Sequence, residues 1–259
     1  RDTDRSRGLG DVYKRQHFAL SIIDKKPITL HQYEQGFHLV QHELQKGNSY
    51  LLNLTYPTEI KLNGNLTQIF HSVEAPYKLL LKDQFVCFSP ESFVQIRQNK
   101  IYTYPMKGTI DASQPNAKAN LLKDEKEQRE HYTIVDLMRN DLAMVAQNIK
   151  VSRFRYIDSI YTEQGEILQT SSEIYGELED HWQNKIGSIL AALLPAGSIS
   201  GAPKEKTVSI IQQAEKQERG YYTGIFGIFD GENLNSAVAI RFIEQKNDKF
   251  YFRSGGGIT

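Results

Sequence analysis

One predicted hairpin brings a carboxylate close to an amine. The stretch FVCFSPESFVQIRQNKIYTYPMKGT, residues 85–109, has strand-forming residues on both sides of a polar turn at Gln98-Asn99-Lys100. Pairing outward from this turn sets Glu91 opposite Met106, and cross-strand neighbours lie only ~5 Å apart. We therefore predict that Glu91 shares a site with Lys107. The alternative is an exposed ion pair, which is worth at most ~1 kcal/mol.

Lys107 lies where the second strand is expected to break, because Pro105 and Met106 precede it and Gly108 follows it. A glycine at such a break lets backbone approach a ligand closely. The neighbours of Lys107 are largely apolar, and an apolar environment lowers the pKa of an amine and favours its neutral form. The sequence thus predicts Lys107 as a nucleophile.

A second carboxylate lies on a predicted helix. In REHYTIVDLMRNDLAMV, residues 129–145, apolar residues follow helical spacing, and Glu130 extends their stripe, as does Glu127 one turn earlier. Mg²⁺ is commonly held by one or two carboxylates together with substrate oxygens. The sequence therefore predicts Glu130 as a metal ligand, with a solvated helix end as the alternative.

Two consecutive hairpins near the end of the chain predict a binding site for a carboxylate. Closing the first at 230–233 pairs Tyr222 with Arg241, and closing the second at Asn247-Asp248 sets Arg241 opposite Ser254, beside the glycines 255–257. A guanidinium, a phenol and free backbone N–H groups would then meet. A cross-strand Arg–Tyr stack with a glycine bulge is the alternative.

The glycine-rich segment PAGSISGAPKEKT does not have the spacing of a phosphate-binding loop, because Ala202 and Pro203 separate Gly201 from Lys204. Nucleotide binding is therefore not predicted. A helix that begins at Pro203, with Ser200 as a candidate cap, could face an anion.

The elements that must position these residues alternate in kind along the chain. Strands are predicted at YLLNLT, FVCF, YTGIFGIF and NSAVAIRF, and helices at 28–47, 117–149, 181–194 and 203–219, the last ending at Gly220. Because the strands come in hairpin pairs and the helices are grouped, we predict an α+β fold with antiparallel sheets.

Composition argues against several classes of partner. Lys plus Arg and Asp plus Glu both total 31, so no basic field favours nucleic acid or anionic lipid. The single cysteine, Cys87, and the lack of an apolar run of about 20 residues predict a reducing, cytoplasmic location without a membrane span. Residues 1–16 lack apolar periodicity and are predicted to be a non-native or disordered extension. One domain is then expected over 17–259, truncated after SGGGIT.

Nearly all of residues 47–259 resembles the chorismate-utilising family, which includes anthranilate synthase, isochorismate synthase and aminodeoxychorismate synthase component I. The segments GNSYLLNLT, SPESF, YPMKGT, EHYTIVDLMRNDL, SSEIYGEL, LLPAGSISGAPK, RGYYTGIFG, SAVAIRF and SGGGI occur in family order. The resemblance implies two stacked antiparallel sheets with helices outside and chorismate bound between them with Mg²⁺.

Lys107 selects among the members of this family. The anthranilate and isochorismate enzymes usually carry Ala at this position, whereas the aminodeoxychorismate enzyme uses Lys as a covalent nucleophile. The resemblance implies that Glu91 handles the proton of the departing hydroxyl and that Glu130 binds magnesium. It places the following residues at the substrate: Gly108, Thr109, Gln169, Ser200, Tyr222, Arg241, Gly255, Gly256 and Gly257.

The sequence departs from the family pattern in several places. Gln169 stands where many members have His, and Gln can orient a hydroxyl but cannot titrate. Ser200 replaces Thr, and neither the helix with a second magnesium-binding Glu nor the tryptophan-binding segment of feedback-regulated relatives is present. The sequence has no Cys-centred glutaminase motif, so ammonia derived from glutamine would need a separate amidotransferase subunit. The alternatives are an anthranilate or isochorismate synthase with an unusual lysine and a non-catalytic chorismate-binding module.

Overall fold

The computed structural model describes residues 21–162 and 165–259, where two seven-stranded antiparallel sheets form. The first sheet has the order β1-β2-β14-β13-β4-β3, with β10 beside β2. Its strands are β1 (Ile22–Lys26), β2 (Leu51–Leu62), β3 (Tyr77–Leu81), β4 (Phe85–Ser89), β10 (Gly201–Ala202), β13 (Phe242–Lys246) and β14 (Lys249–Ile258). The predicted extension 1–16 lies outside the described residues.

The second sheet has the order β11-β12-β5-β6-β9-β7, with β8 beside β9. Its strands are β5 (Ser92–Arg97), β6 (Lys100–Thr103), β7 (Met106–Asp111), β8 (Gln147–Thr162), β9 (Gly165–Glu177), β11 (Ile225–Phe229) and β12 (Leu234–Val238). The long β8–β9 hairpin is absent from the sequence-based prediction. Three register shifts interrupt its pairing, so its sequence lacks regular alternation.

Helices cover the outer faces of both sheets. They are α1 (Leu30–Gln45), α2 (Leu66–Ser72), α3 (Ala117–Lys123), α4 (Glu125–Ala143), α5 (Ile186–Leu193), α6 (Gly197–Ser200) and α7 (Lys204–Glu215), with a 3₁₀ turn at Trp182–Lys185. Helices α1 and α7 pack on the first sheet around Val40, Leu52 and Ile210, and α4 and α5 pack on the second around Ile101, Leu142 and Leu193. The predicted α+β class with two stacked antiparallel sheets is confirmed.

The predicted hairpin registers are also observed. Gln98 and Asn99 both have positive φ, as a two-residue type I′ turn requires, and this turn sets Gln95 opposite Tyr102. The Asn247-Asp248 turn has the same geometry and sets Phe242 opposite Arg253. The β11–β12 hairpin likewise closes in the predicted register.

Three predicted elements differ from the observed ones. The helix expected over 117–149 is two helices, because Asp124 adopts an extended conformation and its side chain caps the start of α4. The helix expected to end near Gly220 ends at Glu215, where Lys216 adopts the left-handed conformation. The strand expected through Arg241 stops at Val238, since Arg241 has a φ of +53°. Across the described ranges, no helix has the length and apolar character needed to cross a membrane.

Candidate active site

A cavity of about 410 Å³ lies between the two sheets. The first sheet contributes residues from β2 and β14, the second contributes residues from β5, β7 and β9, and α4 and α6 complete the wall. The predicted site residues that line it are Glu91, Lys107, Gly108, Gln169, Tyr222, Arg241 and Gly255. Its volume is in the range of small-molecule sites, and it mixes apolar walls with a few charged groups, as such sites do.

Lys107 enters the cavity from a bulge in β7. Lys107 pairs with Thr170 while Thr109 pairs with Gln169, so Gly108 is the extra residue, and its φ of +77° suits a glycine. The hydroxyl of Thr170 donates to the carbonyl oxygen of Lys107, which fixes the backbone there. The bulge is the predicted break in the strand.

Glu91 and Lys107 line the same cavity, as predicted, but the ion-pair partner of Lys107 is Glu130, and the expected cross-strand pairing of Glu91 is wrong. The Lys107 Nζ lies 3.0 Å from Glu130 Oε2, with 29% and 22% of the two side chains exposed. The chain leaves the β5–β6 hairpin after Thr103, and Met106–Asp111 pairs with β9, so the expected pairing of Glu91 with Met106 does not form. The apolar setting predicted for the amine is also wrong, because its contact is an ion pair.

Glu91 lies across the cavity at the start of β5, where a register shift interrupts the pairing with β12. Its carbonyl oxygen accepts from Val238 N at 3.2 Å, which holds the backbone in place. Burial raises the pKa of the Glu91 carboxyl, and a hydrogen bond from the Ser198 hydroxyl opposes part of that rise. A carboxyl in this environment is suited to hold a proton and deliver it.

Glu130 is the predicted metal ligand, and its carboxylate contacts two lysine side chains. Lys126 Nζ lies 3.9 Å from Glu130 Oε1, so both oxygens of this carboxylate face cations. Glu127 precedes it by one helical turn, and its Oε2 lies 3.1 Å from the position a Cβ on Gly108 would occupy. Two carboxylates beside an open cavity suit Mg²⁺, which takes its remaining ligands from water or substrate. Among residues 21–162 and 165–259, no cluster of three or more His, Cys, Asp or Glu side chains is placed to hold a metal.

Three residues of the predicted carboxylate clamp, Tyr222, Arg241 and Gly255, line the cavity. Arg241 is exposed, and it belongs to none of the ion pairs in the described part of the chain. Tyr222 is buried, its hydroxyl is hydrogen-bonded to the Thr55 side chain, and burial raises its pKa. Beyond Arg253, β14 pairs only with β2. Alternate N–H groups on this glycine strand therefore point away from β2.

Five predicted site residues are not part of the cavity wall, and one of them is Glu130, which contacts the lining residue Lys107. Thr109 is exposed beyond the bulge in β7, and Gly256 and Gly257 are exposed farther along β14. Ser200 is buried, and its Oγ donates to the Ala196 carbonyl oxygen at 2.9 Å instead of capping α7. Ser198 lines the cavity instead, because two residues of helix turn a side chain by about 200°.

The predicted anion site at the start of α7 is occupied by a protein carboxylate. Lys204 Nζ lies 2.9 Å from Asp141 Oδ2 and donates to the Leu193 carbonyl oxygen at 2.7 Å. Burial raises the pKa of Asp141, and the hydrogen bond from Lys204 opposes that effect. This contact fastens α7 to α4 and closes the wall that carries Ser198.

The sequence-based analysis missed Asn53 as well as Ser198. Asn53 lies on β2, where apolar Leu52 and Leu54 alternate with polar Asn53 and Thr55. The apolar pair packs beneath α7, and Asn53 lines the cavity on the opposite face. That alternation was the signal that could have identified it.

Comparison with known proteins assigns the chain and its fold to a family. A family profile described as chorismate binding enzyme matches residues 13–259. The chain is 73% identical to an "Uncharacterized PabA-like protein" of Haemophilus influenzae, with 91% of this chain and 72% of that protein covered. It is 30% identical to "Aminodeoxychorismate synthase component 1" of Bacillus subtilis, with 90% of this chain but 52% of that protein covered.

Comparison with solved structures supports the same fold. The crystal structure of anthranilate synthase component I from Streptococcus pneumoniae superposes with a TM-score of 0.80 at 26% identity, covering 92% of this chain. This chain corresponds to 55% of that one, so it spans about half of that protein. Because the family profile extends over nearly the whole sequence, this chain belongs to the chorismate-binding enzyme family.

Proposed function

We propose that this chain is the synthase component of an aminodeoxychorismate synthase, which replaces the ring hydroxyl of chorismate with ammonia. The observation that carries the proposal is the position of Lys107. Its amine lines the cavity between the Glu130 carboxylate and the end that holds Arg241. Overall similarity does not select the reaction, since the chain is also 31% identical to "Anthranilate synthase component 1 3" of Haloarcula marismortui.

The two ends of the cavity suit the two carboxylates of chorismate. Arg241, Tyr222 and the strand at Gly255 supply donors for the enolpyruvyl carboxylate. Glu130, assisted by Glu127, would hold Mg²⁺ for the ring carboxylate at the other end. When bound, Mg²⁺ would neutralise the charge of that carboxylate, which two protein carboxylates would otherwise repel.

Substrate held in this way presents its ring to Lys107 and Glu91. The Lys107 ammonium first loses one proton to solvent by way of Glu130, and the resulting amine adds to ring C2, the ring double bond shifts, and the C4–O bond breaks. The Glu91 carboxyl gives its proton to the departing hydroxyl, which leaves as water. The raised pKa of Glu91 keeps that proton available. Glu130 orients the amine for attack through the 3.0 Å contact.

Ammonia then completes the exchange. It attacks C4, the double bond returns, and the C2–N bond to Lys107 breaks, so the Lys107 amine is regenerated. The new C4 ammonium gives one proton to the Glu91 carboxylate, which restores the acid. Two successive allylic displacements give retention at C4. In the whole enzyme, a separate glutamine amidotransferase subunit would supply the ammonia.

The test incubates the purified chain with chorismate, MgCl₂ and an ammonium salt and identifies the products by liquid chromatography and mass spectrometry. We expect 4-amino-4-deoxychorismate, and intact-protein mass spectra should show chorismate minus water attached at Lys107. Lys107→Arg keeps the positive charge beside Glu130 but cannot form the adduct. It should lower turnover by roughly 10³-fold or more.

Lys126→Ala is the matched control, because Lys126 faces the same carboxylate from a 79% exposed position and should not affect turnover. Direct formation of fluorescent anthranilate, or of isochorismate, would assign the chain to another reaction of the family. Binding of chorismate without any product or adduct would identify a binding module and would refute the nucleophile.

A further inference from the structure

Asn53 lies at the end of the cavity where the carboxylate donors converge. It lines the wall with Tyr222, Arg241 and Gly255, and it belongs to β2, a strand that the proposed chemistry does not otherwise use. Its side chain is half-buried. The hydrogen bonds of this amide indicate what it can bind.

One end of the amide is already occupied. The Thr55 hydroxyl donates to Asn53 Oδ1 at 3.1 Å, and the same Thr55 side chain is hydrogen-bonded to the Tyr222 hydroxyl. Within the described ranges, no protein acceptor takes a hydrogen bond from Asn53 Nδ2. The two N–H donors of the amide are therefore free for a ligand.

Buried ionic contacts fix the backbone that carries Asn53. Arg219 Nη2 donates to the Asn53 carbonyl oxygen at 2.6 Å, and Thr55 N donates to Glu215 Oε1 at 2.9 Å. Arg219 and Glu215 also pair with each other at 2.6 Å, with only 14% and 1% of their side chains exposed. The backbone of Asn53 and that of Thr55 are therefore both fixed by the Glu215–Arg219 pair, as a pre-organised binding group requires.

The neighbouring strand approaches the amide closely, because it carries a glycine there. Gly255 faces Thr55 across the sheet, and a Cβ at Gly255 would overlap Asn53 Oδ1 and Thr55 Oγ1. Arg241 lines the same end without a protein carboxylate as partner in the described chain. The Asn53 amide and the Arg241 guanidinium can therefore still donate hydrogen bonds, and together these donors suit an anion with two oxygens.

We propose that Asn53 binds substrate by donating its amide N–H to the carboxylate that Arg241 and Tyr222 receive, the enolpyruvyl carboxylate of chorismate. The inference rests on the proposed function for the identity of the ligand. It adds a residue of β2 to the site and assigns to Thr55 and to the Glu215–Arg219 pair the role of positioning that residue.

The test measures chorismate affinity by isothermal titration calorimetry with Mg²⁺ present, in a Lys107→Ala parent that cannot turn over. Asn53→Asp has the same shape but replaces two donors with a negative charge facing the ligand, and it should weaken binding by ~10- to 100-fold. Asn53→Ala removes the donors without adding charge and should weaken binding by ~5- to 10-fold. Asn235→Asp makes the same charge change at an exposed position outside the cavity and should leave affinity within about twofold.

The order of these effects separates ligand binding from a structural role. Thermal unfolding of each variant reports on folding. If Asn53 had only a structural role, Asn53→Asp would not bind the anionic ligand more weakly than Asn53→Ala. Equal affinity of the parent and both Asn53 variants would overturn the inference and leave the proposed function standing. A parent chain that binds no chorismate would overturn both.

Discussion

Glu244 and Arg253 form a buried ion pair on neighbouring strands, and we expect the loss of its two members to have unequal costs. Arg253 Nε and Nη2 both lie 2.6 Å from Glu244 Oε1, and the two residues are 4% and 5% exposed. Glu244 has a second cation, since Lys246 Nζ lies 3.1 Å from its Oε2. Arg253 has only a long contact of 3.5 Å to the Glu218 carbonyl oxygen as its further bond.

The magnitudes follow from what each substitution leaves behind. Glu244→Gln leaves a buried guanidinium without a counter-charge, and breaking a buried pair in this way costs ~3–5 kcal/mol of unfolding free energy. Arg253→Met leaves Glu244 paired with Lys246, so the loss should be about 1–2 kcal/mol, mainly from packing and hydrogen bonds. The double variant should resemble Arg253→Met, so the coupling energy should equal the cost of Glu244→Gln alone, about 3–5 kcal/mol.

Urea unfolding measures these values directly. Trp182 is the single tryptophan, it is 1% exposed and it packs in the core against the other sheet, so its fluorescence reports unfolding away from the substitutions. Circular dichroism should give coincident transitions. Glu179→Gln breaks an ion pair whose side chains are 61% and 63% exposed, and this control should cost less than about 1 kcal/mol. A cost for Glu244→Gln no larger than for Arg253→Met would refute the argument from the second cation.

Two further predictions concern the glycine strand and acid stability. Gly255→Ala should lower stability by ~1–3 kcal/mol and weaken chorismate binding, because its Cβ would overlap Asn53 and Thr55. Gly256→Ala, with nothing within 4 Å of its Cβ, should change neither quantity, and equal urea midpoints for the two variants would contradict the close approach. Burial, aided by the charge of Arg155, lowers the pKa of His131 from 6.5 to about 4, so the stability conferred by its neutral ring is complete above 6.5 and is lost as pH falls toward 4, ~3 kcal/mol in all. Between about pH 7 and about pH 4, His131→Gln should therefore lose less stability than the wild type, whereas exposed His38→Gln should lose as much; parallel curves for all three proteins would exclude His131 as the acid-sensitive group.

Local rules were sufficient for the hairpins. The Gln98-Asn99 and Asn247-Asp248 turns each hold two residues at positive φ, and a turn of that type fixes the register of both flanking strands. The register that sets Phe242 opposite Arg253 could therefore be predicted by counting outward. The long β8–β9 hairpin could not, because its register shifts remove the alternation that identifies a strand.

Local turn and spacing rules could not predict contacts between elements far apart in the sequence. The spacing along α4 showed that Glu130 extends an apolar stripe, but it gave no distance to a strand 23 residues away. The predicted contact of Lys107 with Glu91 assumed that the hairpin continued past Pro105. In the fold, β7 pairs with β9 instead, and that exchange of partners turns Lys107 toward α4.

The sequence by itself determined the family, the antiparallel α+β class, the hairpin registers and most of the chemical groups at the site, because each depends on motif order or on interactions between near neighbours. The tertiary structure alone decided that Lys107 pairs with Glu130, that Ser198 and not Ser200 lines the cavity, and that Asn53 faces the clamp. Those contacts join segments far apart in the chain. They depend on how sheets and helices pack in three dimensions, which no pattern within one segment specifies.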